Sequence, residues 1–317
     1  MASPFSGWLR RKLLGISPAE ISLARRGFRA GRGGTRERLE MVPQLFALGY
    51  HAALEHGDLA VLEARLNAVE AEGRGFAFEG AAMALALLDC LTPWRRNRFR
   101  QFLAGPGAPH CYMVHVGAGW ALARLRRDLA RARALLDPLL GWLAIDGMGF
   151  HEGFFHWPQY LGGQPLPPRL HGYERRAFDQ GLGRSLWFIE GADAGHLPRT
   201  ISVFPAERRA DLWSGVGLAA AYAGGVGPDE LAQLRTAARD YWPAMAQGTA
   251  FAAKARQRAG ILIPYTDLAS KTLCGLPAAA AAQLTDDALK DLPPDGAQPA
   301  YEAWRQRIQA RFAAVNS

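Results

Sequence analysis

Cysteine is scarce and solitary in this 317-residue chain: Cys90, Cys111 and Cys274 are odd in number, widely spaced and free of any CxxC pair. That pattern excludes a disulfide framework or a zinc knuckle and predicts reduced, mostly buried thiols. Long apolar runs are also missing. No stretch approaches the ~20 apolar residues needed to span a bilayer, and none long enough for a signal peptide follows Arg10, Arg11 and Lys12. A cytoplasmic protein without a transmembrane segment is expected. The chain has no GxxxxGK(S/T) phosphate loop and no GxSxG elbow, and its GxG texts follow no strand. Nucleotide hydrolysis, an α/β-hydrolase triad and a dinucleotide fold therefore have no support.

What is present has the balance of a globular protein, with 49% hydrophobic and 21% charged residues. The net charge of +8 is unevenly placed. Residues 1–40 hold nine Arg and Lys against Glu20, Glu37 and Glu40, so this segment contributes +6. A basic arm of this kind suits an acidic protein, anionic lipid or nucleic acid, while the plainer reading is a solvated, arginine-rich leader. No nucleic-acid partner is assigned.

Apolar residues at helical spacing (Leu45, Leu48, Ala52) run to a break at His56-Gly57-Asp58, and Leu59, Leu62, Leu66 and Val69 begin again. This predicts a helical hairpin resembling the tetratricopeptide type of repeat. Similar glycine-led texts recur at Gly49, Gly80, Gly117, Gly153, Gly181, Gly215 and Gly248, spaced by 31, 37, 36, 28, 34 and 33 residues. A mean near ~33 is the length of a helix-turn-helix repeat. Glycine inside a helix costs ~1 kcal/mol relative to alanine, so its repetition implies close packing. The expected fold is all-α: about seven tandem hairpins forming a superhelix or toroid over 41–276. A basic arm, 1–40, precedes them. A linker and capping helix, 277–317, follow, with the last helix at Tyr301–Val315. The Pro-rich stretch from Trp157 to Gly172, with Pro165, Pro167 and Pro168, reads as a long loop that covers or borders the site. Asp286-Asp287, after Thr285, reads as the acidic first turn of a capped surface helix rather than a magnesium-diphosphate motif.

If the glycines are equivalent, the residues before them share a face: Leu48, Glu79, Val116, Glu152, Gln180, Ser214 and Gln247. One step earlier stand Ala47, Phe78, His115, His151, Asp179, Trp213 and Ala246. Polar groups on closely packed helices must be paired or line a cavity, because burying them unsatisfied is costly. The densest run, Asp146 to Trp157, sets His151 and Glu152 among Phe150, Phe154, Phe155, His156 and Trp157. That mixture suits acid/base work on a flat, unsaturated molecule. The candidate catalytic groups are His151, Glu152, Glu79, His115 and Asp179. Candidate substrate contacts are the four aromatic neighbours Phe150, Phe154, Phe155 and Trp157, with His156, Gln180, Arg184, Trp187, Trp213, Ser214 and Gln247; Arg184 is suited to a carboxylate or enolate. The plainer reading of each histidine is a hydrogen-bonded, partly buried ring. His151 and His156 stand about 140° apart on an ideal helix, unlike the i, i+4 pair of zinc proteases, so no metal and no cofactor is assigned.

Arg26-Gly27-Phe28, the block Gly147 to Phe155, Gln180 to Phe188, Asp211 to Ala219, Tyr222 to Gly225 and Gln247 to Phe251 together resemble the UnbL-like bacterial family found in enediyne polyketide gene clusters. The resemblance covers about residues 20 to 275 and implies a cytoplasmic accessory or tailoring protein for a highly unsaturated polyketide. The resulting expectation is a cofactor-independent enzyme that transfers a proton, isomerises or cyclises an apolar intermediate. The rival is a helical-repeat scaffold that binds a polyketide synthase or acyl carrier protein, which the basic arm would suit.

Overall fold

The computed structural model of the chain describes residues 4–92, 94, 97–125, 132–161 and 166–314. All regular structure among them is helical. The chain divides into two compact units, residues 1–26 with 40–148 and residues 27–39 with 149–317. Among the described residues no helix is long and apolar enough to cross a membrane, and all three cysteines are free thiols.

The first unit holds α1 (Pro4–Leu14), most of α2 (Gly34–Glu55), α3 (Leu59–Asn67), α4 (Ala71–Leu91), α5 (Arg98–Ala104), α6 (Cys111–Leu125) and the start of α7 (Trp142–Tyr160). The expected hairpin is α2 with α3. Asp58 stops one helix and caps the next, its Oδ1 accepting from the amides of Ala60 at 2.8 Å and Val61 at 3.3 Å. Leu62 and Leu66 are fully buried. Leu48, expected on the apolar stripe, is instead 45% exposed. Close packing turns α2: a methyl group on Gly49 would overlap the carbonyl of Ala77, and one on Gly80 that of Phe46. Phe46, Gly49, Tyr50 and Ala53 therefore form the buried stripe, at helical spacing.

The second unit continues from α7 through α8 (Glu174–Ile189), α9 (Leu197–Ser202), α10 (Ala206–Ala223), α11 (Pro228–Ala238), α12 (Trp242–Arg258), α13 (Pro264–Cys274), α14 (Ala278–Asp287) and α15 (Ala300–Ala313). Helix α10 packs against both α8 and α12. A side chain on Gly215 would strike the carbonyl of Gln180, and one on Gly248 that of Ser214. These glycines are thus required by backbone-to-backbone contact.

Pro299 starts α15 as expected, and Tyr301, Trp304, Ile308 and Phe312 bury its apolar side. Val315 of the expected helix lies outside the described residues. So does Pro165 of the expected loop; α7 runs to Tyr160, taking up the first residues of that stretch. Asp286 and Asp287 end α14 rather than opening a helix, since Pro277 already starts that alanine-rich helix. Lysines hold both carboxylates, Asp286 through Lys254 and Asp287 through Lys290.

Candidate functional site

The sequence of α7 breaks its own helix. Pro158 has no N–H to give, its ring crowds the carbonyl of Phe154, and it pushes the preceding residue away from helical backbone. The distortion falls at His156, with φ −131° and ψ 27°. The ideal-helix separation of about 140° therefore does not apply. Both imidazoles come to one carboxylate: His156 Nδ1 is 3.1 Å from Glu152 Oε2, and His151 Nδ1 is 3.5 Å from Oε1. The Tyr160 hydroxyl donates to Oε2 at 3.1 Å.

Burial pushes the Glu152 carboxyl up, but the imidazole of His151, the charge of His156 and the Tyr160 hydroxyl outweigh it and hold the group below its ordinary value. It is a carboxylate at neutral pH. His151 is buried, whereas the His156 side chain is 45% exposed. When His156 donates from Nδ1 to Glu152, its Nε2 is left as a basic lone pair, the logic of a carboxylate-oriented general base. The ligand atoms of His151, Glu152 and His156 lie within 4.8 Å of one another. Two imidazoles and a carboxylate also form a donor set suited to a zinc-type ion.

Aromatic rings flank this group. Phe155 lies 4.8 Å from the His151 ring, Phe154 lies 5.3 Å from Phe155, and Phe150 is 6.0 Å from Phe154. Arg184 stands over the Phe150 ring at 4.9 Å. Phe28 meets Phe154 edge-on at 5.2 Å. Trp157 is half-buried and lies against the backbone at Gly27.

The remaining candidates sit in packed interiors. In the first unit, Glu79 accepts from Trp120 Nε1 at 3.0 Å, and His115 pairs through Nδ1 with the carbonyl of Cys111 at 2.7 Å. In the second, Asp179 is held bidentately by Arg208. Burial outweighs that guanidinium and pushes the Asp179 carboxyl up to about 6. Trp187 donates to the carbonyl of Gly224 at 3.0 Å, and Trp213 is 3% exposed. Ser214 donates to Gln247 Oε1 at 3.0 Å, and Gln180 donates to the Tyr301 hydroxyl at 3.3 Å.

Those last residues join a network that sequence reasoning missed. Arg305, fully buried, reaches Asp211 Oδ1 at 2.8 Å, Glu302 Oε2 at 3.3 Å, Tyr173 at 3.0 Å and Gln247 at 3.0 Å. Arg176 closes the ring on Asp211 and Glu302. A Glu302-Arg305 pair in a helix expected to cap the stack gave no signal; only the burial of α15 makes it visible. Tyr160 was missed because the Pro-rich text around it read as loop.

A family model described as protein of unknown function (DUF1702) matches residues 5–312, and the chain belongs to that family. No curated protein and no solved structure matches the chain.

Proposed function

We propose that this member of the DUF1702 family is an accessory or tailoring enzyme of enediyne-type polyketide assembly. It moves a proton to isomerise or cyclise an apolar, unsaturated intermediate, without a cofactor, in the cytoplasm. The observation that carries this reading is the convergence of His151, His156 and Tyr160 on the Glu152 carboxylate, beside Phe154 and Phe155. In it, His156 Nε2 takes the proton, Glu152 orients the ring and stabilises the imidazolium, and Tyr160 serves as a nearby hydrogen-bond donor. The phenyl faces supply a surface for conjugated carbon. Glu79, His115 and Asp179 become structural groups. The repeat architecture belongs to the same proposal: a tetratricopeptide-like superhelix of about seven hairpins, supported by glycines pressed on neighbouring carbonyls at Gly80, Gly117, Gly215 and Gly248.

The test pairs product formation in a producing strain with the melting temperature of the purified variants. Glu152→Gln and His156→Gln should each lower product by roughly 10² to 10⁴ with melting unchanged, the usual contribution of a positioned acid or base. Normal product from both variants removes the cluster from the mechanism.

The basic segment 1–40 supports the rival reading, a scaffold for a synthase or acidic carrier protein. That reading predicts salt-sensitive capture of carrier protein that survives both substitutions.

A further inference from the structure

The second unit carries a cleft of about 760 Å³ that the cluster on α7 does not use. One wall is the segment Arg29–Arg32 and Thr35; a second, adjoining it, runs from Glu190 to His196 and includes Arg199. The volume is that of a small-molecule site. Its first wall is firmly attached: the amide of Arg29 donates to the carbonyl of Ile189 at 2.8 Å, and Arg38 Nε donates to the carbonyl of Ala223 at 2.7 Å. Gly191, at φ +61°, is pressed against Arg29 and Gly31, where a side chain would not fit.

The charges in the cleft are unequally engaged. Glu190 is 6% exposed, paired with Arg29 at 2.7 Å, and accepts from Thr200 at 2.6 Å. Asp193 accepts from the amides of Gly195 and His196, and Glu230 from the amide of Gly227. Glu190 is thus committed to Arg29 of the first wall, and Asp193 and Glu230 to backbone amides of their own segments. Arg32 and Arg199 are exposed, and neither guanidinium has an acceptor among the described residues. Two planar, permanently charged donors facing one cleft favour an oxyanion.

The segment that forms the wall also touches the candidate catalytic region, since Phe28 packs on Phe154 and Gly27 lies against Trp157. Phe28 and Arg32 are four residues apart, so their Cα atoms are separated by no more than ~14 Å.

We infer that the Arg32–Arg199 cleft binds the anionic end of the substrate, a carboxylate or phosphate group, while the unsaturated chain lies toward Phe155 and Trp157. The direction of the chain rests on the proton-transfer reading of the α7 cluster; the anion site rests on the cleft alone.

The experiment is fluorescence titration of the full chain with cis-parinarate, a conjugated polyene acid, and with its methyl ester. The acid should bind roughly tenfold or more tighter than the ester, the scale of a charge-assisted contact. Arg32→Gln/Arg199→Gln should abolish that preference at an unchanged melting temperature. Benzoate and phenyl phosphate as competitors distinguish the two oxyanions. Equal affinity for acid and ester, or a preference that survives the double substitution, overturns the inference. Binding needs no turnover, so the two readings fail separately. Normal product from Glu152→Gln and His156→Gln with arginine-dependent binding removes only the catalytic reading. Lost product in those variants with no arginine dependence removes only the cleft.

Discussion

Arg305 Nη1 lies 2.8 Å from Asp211 Oδ1, and both side chains are sealed from solvent. The contact ties the C-terminal helix α15 to α10, and Glu302, Tyr173 and Gln247 also contact the guanidinium. Burial works to lower the Arg305 guanidinium, but Tyr173, Asp211 and Glu302 outweigh it and hold the group well above its ordinary value. A buried ion pair need not stabilise relative to apolar packing, but removing one partner strands the other.

Arg305→Met should therefore cost about 3 to 5 kcal/mol, measured by urea unfolding. Arg176→Met, on the half-exposed rim of the same ring, should cost less than half as much. Equal losses would contradict this account of burial.

Gly215→Ala places a methyl group against the Gln180 carbonyl, so α10 must move away from α8. Overpacking of this kind costs about 1 to 3 kcal/mol, and thermal unfolding should show it. Gly296→Ala meets nothing within 4 Å and serves as the control.

His115 supplies the pH prediction. Burial lowers its folded value, only partly opposed by the Cys111 carbonyl and the charge of Asp137. The unfolded ring takes a proton near the ordinary value of about 6.5, while the folded ring resists it. Its contribution to stability is complete above about pH 6.5 and is lost as pH falls through that range. His115→Asn retains a donor near Cys111 and should lose less stability between pH 7 and 5 than the parent. An equal slope in both proteins would sink this assignment. His51, also lowered, has the same sign in both proteins and cancels in the comparison.

A zinc ion entering the His151, Glu152 and His156 trio would take the His156 nitrogen that faces Glu152, leaving the ring proton on Nε2 and no basic lone pair there. Zinc should therefore inhibit product formation in cell extract, with reversal by a chelator. His156→Gln should weaken zinc binding measured by calorimetry. Activation by zinc would mean that the trio works as a metal site.

Helicity, the Asp58 break and the recurring glycines were legible in the sequence because they depend on local backbone chemistry: capping, periodicity and the absence of a side chain. The concentration of His151 and Glu152 among aromatic residues was legible for the same reason, as neighbours along one helix. Tertiary structure decided the rest. Leu48 fits an apolar period but is exposed, because carbonyl contacts at Gly49 and Gly80 set the rotation of α2. Glu79, Asp179, Ser214 and Gln247 carry the residue types of a ligand groove, yet partners distant in sequence, such as Trp120, Arg208 and Arg305, bond to them inside the packing. His156 stands four residues after Glu152, a helical-neighbour spacing legible in the sequence, whereas the meeting of His151 and Tyr160 on the same carboxylate was not. Periodicity can identify a face of a helix, but what lies opposite that face is set by the packing of the other helices.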